Sequence, residues 1–171
     1  MSPAEELSQR SGGQVRVITA MNKNIFASET TEELISRINH LTPEMRPAWG
    51  KMNSGQMLAH LCVMYEMVYD NNHKRPNAIM RFLISMVAKD TVVGDKPYPR
   101  NGRTAPAFVI TGQRDFEKEK RRLIDYIIRT EKSGGSFFEG RESLSFGKLN
   151  LKEWNNYFYK HLNHHLTQFG V

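Results

Sequence analysis

Residues 150–168 read NLKEWNNYFYKHLNHHLTQ. Asn150 followed three residues later by Glu153 is the pattern of a capping box, so a helix is predicted to begin just after Asn150. It continues to about Gln168, and Gly170 ends it. Trp154, Phe158, Leu162 and Phe169 define its apolar side, while Lys152, Asn156, Asn163 and Thr167 are expected to face away. His161 and His165 stand four residues apart. A helix turns about 100° per residue, so the two imidazoles project within about 40° of one direction, one turn apart. Both lie on or beside the apolar stripe and therefore point inward. That spacing lets two ring nitrogens grip one ion.

Upstream, the sequence repeats the helical pattern. A helix over 54–70 follows Asn53, with Gln56 completing a second capping box. Met57, Leu61, Met64, Tyr65 and Val68 share one of its sides. His60 stands at the edge of that stripe, so it too faces the interior. A first helix is expected over 30–41, carrying Leu34, Ile35, Ile38 and Leu41, before Pro43 and Pro47 break it. A short amphipathic segment, 77–89, carries Ile79, Phe82, Leu83, Met86 and Val87. With Arg81 and Lys89 nearby its stripe would suit a membrane surface, but it is expected to cover the core or meet a second copy instead, with no membrane partner. Three prolines, Pro97, Pro99 and Pro106, make 91–111 read as extended. A further helix over 115–132 is expected to stop at Gly134-Gly135, with 136–149 a loop.

These elements predict an all-α protein, a four-helix bundle with a short extra helix and an extended connection. The 171 residues suit one domain, read as 23–171 after a flexible leader over 1–22. Residues 1–16 lack the apolar stretch of a signal peptide, and no run is long enough to span a membrane, so a cytoplasmic protein is expected. Cys62 is the single cysteine, which excludes an internal disulfide and a cysteine-based zinc cluster. It reads as a small buried hydrophobe.

The formal charge of +6 raises the question of nucleic acid. Yet the basic residues are scattered or mixed with acids, as in Glu117-Lys118-Glu119-Lys120-Arg121-Arg122. A binding stripe needs clustered Lys and Arg. The run reads instead as a solvated helix face, and a small-molecule partner fits better.

Three inward histidines, His60, His161 and His165, on two helices are a candidate metal site. Three protein ligands leave a fourth position for water or substrate, and neutral imidazole accepts zinc, nickel, iron or copper. The competing reading is that they are hydrogen-bonded core residues. His164, about 60° round the helix from His161, is either an alternative to it or a support for the ligand set. His40 and His73 read as surface residues, Glu66 as outward-facing, and Tyr65 and Gln168 as polar groups of the cavity.

The segments 49–61, WGKMNSGQMLAHL, and 160–170, KHLNHHLTQFG, resemble the DinB/YfiT-like metalloenzyme clan, and more narrowly an uncharacterised, domain-of-unknown-function branch of it. Lys96-Pro97-Tyr98-Pro99-Arg100-Asn101 and Phe146-Gly147-Lys148-Leu149 are also similar to that branch. The resemblance covers roughly 30–171. It implies an up-down-down-up four-helix bundle, often a homodimer, with one divalent metal on His60, His161 and His165. It also implies an activity related to S-transfer from a low-molecular-weight thiol, the metal activating the thiolate; an isomerase is also known in the clan. The sequence departs from the clan at Leu166-Thr167, where Arg-Gly is common. Two functions are therefore expected to compete: a metal-dependent S-transferase or hydrolase of a small electrophile, with zinc, nickel or iron, and a non-catalytic metal-binding or stress-response module.

Overall fold

The computed structural model describes residues 22–70 and 72–171, so the leader expected over 1–22 lies, but for Asn22, outside the described residues. The described chain is mostly helical. In order it forms α1 (Ser28–Asn39), α2 (Ser54–Tyr69), α3 (Ala78–Val93), a 3-10 turn (Pro106–Phe108), α4 (Phe116–Phe138), a hairpin of β1 (Glu142–Ser143) and β2 (Gly147–Lys148), and α5 (Leu151–Gln168). The hairpin is antiparallel and pairs Glu142 with Lys148 and Ser143 with Gly147. No described helix is long and apolar enough to cross a membrane.

Both capping boxes form. Asn53 accepts from the Gln56 backbone and Gln56 returns the bond to Asn53, as Glu153 does to Asn150. Asn77 and Asp115 cap α3 and α4 in the simpler way. Each bond satisfies a backbone N–H that has no partner inside the helix. Helix α1 lacks such a side chain. It starts two residues earlier than expected, where Ala27 O accepts from Thr30 and Thr31.

Helices α1, α2, α4 and α5 pack on one another around a single core, and α3 lies against α5. Leu34 and Ile38, Leu58, Leu61 and Tyr65, Leu123 and Ile127, and Phe158 and Leu162 are fully buried in it. The inner helices are covered more widely than their apolar stripes predict. α2 is buried all round from Met57 to Tyr65. On α5, Asn156 is buried rather than facing away, and so is Lys160.

Those two polar side chains explain a second difference. The chain stays helical to Val93, so α3 is as long as α2 and the segment expected to be extended begins only after it. Lys160 Nζ donates to Thr91 O at 2.9 Å and Gly94 O at 2.5 Å, and Asn156 donates to Val93 O at 2.9 Å. The carbonyls left open at the end of α3 are thus taken up by α5. The apolar stripe of α3 does not cover the core, because the opposite side of the helix makes this contact.

Gly134-Gly135 does not stop α4. Gly134 takes φ 69°, which a residue with a side chain rarely adopts, and the helix resumes beyond it. A Cβ at Gly135 would come within 2.6 Å of Leu151. The kink carries Phe138, expected in a loop, into the core between Phe26, Trp154 and Phe158.

Candidate metal centre

α2 supplies His60, and α5 supplies His161 and His165. All three rings are buried, with 5 to 8% of each residue exposed. His60 Nε2 lies 2.9 Å from His161 Nε2. One ligand atom from each histidine lies within 4.8 Å of the others. A tetrahedral zinc ion with bonds of about 2.0–2.1 Å sets its ligand atoms about 3.3 Å apart. The trio brackets that spacing, so side-chain adjustments of about an ångström close it.

Two of the three outer nitrogens have partners. His60 Nδ1 donates to Phe108 O at 2.8 Å, since a carbonyl only accepts. The neutral ring therefore turns the lone pair of Nε2 inward. His165 Nδ1 lies 2.7 Å from Gln168 Oε1, which fixes its ring in the same sense. Gln168 is itself held by donation to Trp49 O at 2.5 Å. Gly50, at φ 85°, permits this approach: a Cβ there would sit 2.6 Å from Gln168 Nε2. Such supporting bonds orient imidazoles and raise their basicity.

Burial keeps the rings neutral. It lowers His60 and His161 below the ordinary histidine value and His165 to about 3, with neighbouring imidazoles reinforcing the shift at all three. A folded value below the unfolded one means that the folded chain binds fewer protons once the pH falls under about 6.5. The contribution of these groups to stability is therefore whole above that pH and is lost as acid is added. The metal-free protein is expected to lose several degrees of melting temperature between about pH 7 and pH 5.5, and His165→Gln less. Melts in chelator at stepped pH check this, and equal slopes for the two proteins would contradict it.

Around the trio lie groups that the sequence reading did not single out. Phe108 packs its ring on His60 and His161, and Tyr98 lies 6.0 Å from His161 and 5.6 Å from His164. A cleft of about 200 Å³ beside them is lined by Trp49, Tyr98, Arg100, Lys160 and His164, among others. The Arg100 guanidinium stacks on Trp49 at 4.3 Å. His164 thus faces the cleft, next to His165, rather than joining the trio.

The remaining candidates sort differently. Gln168 belongs to the site, as expected. Tyr65 does not: its ring stacks between Tyr126 and Phe158, and its buried hydroxyl has no partner among the described residues. Glu66 is not on an open outer face, since it binds His73 at 2.7 Å and Arg122 at 2.5 Å. His40 is exposed at the end of α1. Cys62 is buried, and burial pushes its thiol up to about 12, so it is no nucleophile.

Residues 21–170 match a family described as protein of unknown function, DUF1569. No curated protein and no solved structure matches.

Proposed function

We propose that this chain, which belongs to the DUF1569 family, holds one divalent metal on His60, His161 and His165 and acts on a small electrophile, as a thiol-dependent S-transferase or a hydrolase. The observation that carries the reading is the inward convergence of three buried imidazoles, two with their outer nitrogens already engaged. Two core histidines also reach a 2.9 Å approach of their Nε2 atoms when one ring donates a proton to the other, but that pairing gives no role to the third buried imidazole, His165, brought to the same point. One must carry a proton there, or both face a shared cation.

The ligand set is neutral and the cluster includes no carboxylate. A divalent ion held there keeps its full charge, which lowers the pKa of a bound thiol or water and supplies a nucleophile near neutral pH. The chain's own residues orient and shield. Phe108 O and Gln168 set the rings, Tyr98 and Phe108 exclude water, and the cleft at Trp49, Arg100 and His164 receives the substrate. Zinc, nickel or iron suits the donors. The packing of α1, α2, α4 and α5 supports a DinB/YfiT-like up-down-down-up four-helix bundle, with α3 added.

One observation favours the alternative, a non-catalytic metal-binding module. None of the three histidines lines the cleft, so turnover requires the connection carrying Tyr98 and Phe108 to move aside. Incubation of metal-loaded protein with a panel of cellular thiols and a model electrophile separates the two. The enzyme reading predicts conjugate or hydrolysis product that disappears on chelation. Neither product with any thiol would leave the binding module.

A further inference from the structure

Helix α3 carries an apolar face that no described residue covers. Ile79, Phe82, Leu83, Met86 and Val87 recur at i, i+3, i+4, i+7 and i+8, with exposures from 49% at Leu83 to 84% at Val87. Met80, 50% exposed, flanks them. The other side of the helix is already committed to α5. At roughly 100–120 Å² of exposed surface apiece, the six residues present on the order of 650 Å² in one stripe. That exceeds the largest apolar patch of many monomers.

We infer that α3 is the interface of a homodimer, stripe against stripe across a two-fold axis. Paired with a copy of itself, the face buries at most about 1,300 Å² in total, at the lower end of the ~1,200–2,000 Å² of specific, stable interfaces. Its composition matches an interface core, with Phe, Met and Leu and no charged residue in the stripe before Asp90. A two-fold axis sets the same patch on both subunits, and ridges of residues four apart interdigitate with their own copy.

The charges beside the stripe select this occupant over an anionic membrane. An interfacial helix needs free Lys or Arg flanking its apolar face. Here Lys89 is paired with Glu153 at 2.9 Å, and Arg81 with Glu142 at 3.6 Å. Arg75, just before the helix, is also paired with Glu142. Lys89 is matched one to one and the two arginines share the single Glu142 carboxylate, so at most one of these three positive charges is left uncompensated, and the paired groups serve as a polar rim.

Sedimentation across about 1 to 100 μM protein tests the assignment. Wild type is expected to be dimeric at the upper end. Val87→Glu and Phe82→Glu should each raise the dissociation constant about 100-fold or more, because every substitution enters the interface twice and sets like charges together. Both positions face solvent within the subunit, so helicity by circular dichroism should be unchanged. A wild-type monomer at 100 μM, or variants as dimeric as wild type, would overturn the interface. Flotation of monomeric wild type with phosphatidylserine vesicles would assign the stripe to a membrane instead.

Discussion

Saturating zinc is expected to raise the melting temperature of the wild-type protein by about 10 °C and to leave that of His161→Ala unmoved. An ion that binds only the folded chain stabilises it by about 4 kcal/mol at 1,000 times its dissociation constant. A domain of this size gains about 2–4 °C per kcal/mol. His161 is the decisive position because its Nε2 directly faces that of His60 across the α2–α5 contact. Two imidazoles remaining on different helices cannot supply the three-ligand set of a zinc site with an open position. Each protein is compared with its own chelated state, so the direct cost of truncating His161 cancels. Nickel or iron(II) should act in the same direction. An equal metal-induced shift in both proteins would place the ion elsewhere.

Phe158→Ala is expected to cost about 3–5 kcal/mol of folding stability, the range for emptying a buried aromatic site. Phe158 is fully buried. Its ring stacks on Tyr65 at 5.1 Å and on Trp154 at 5.6 Å, and meets Phe138 edge-on at 5.3 Å. These rings come from α2, α4 and α5, so the cavity opens where three helices meet and none can collapse into it alone. Equilibrium urea unfolding should show a much lower midpoint with little change in slope. A loss under about 1 kcal/mol would mean that the ring cluster is not the centre of the core.

The features legible in the sequence are the ones that depend on local periodicity. The capping boxes at Asn53 and Asn150 set the starts of α2 and α5, and the spacing of His161 and His165 set their shared direction. His60 followed from its place beside an apolar stripe. Two readings failed where a distant segment decides the outcome, and a third stays open. The end of α3 is set by Lys160 and Asn156, about seventy residues away, and nothing in 90–94 carries that information. Gly134-Gly135 reads as a helix stop because a glycine pair costs helical stability. The burial of Phe138 holds the chain helical beyond it. The apolar stripe of α3 has a clear period, but period alone does not say whether core, copy or lipid meets it.

At the site, the residue types were readable and their supports were not. Phe108 holds His60 through a backbone carbonyl, a group that every residue carries. Trp49 reaches Gln168 in the same way, and Gly50 matters only because of what its missing side chain would strike. Gln168 could be named because it follows His161 by seven and borders the same side of the helix.

The metal content of the purified protein tests the three-histidine centre most directly. Elemental analysis of wild type, His60→Ala and His161→Ala, purified alike and confirmed as folded, is predicted to give about one divalent metal per wild-type chain and almost none in either variant. Equal metal content in all three proteins would contradict the site.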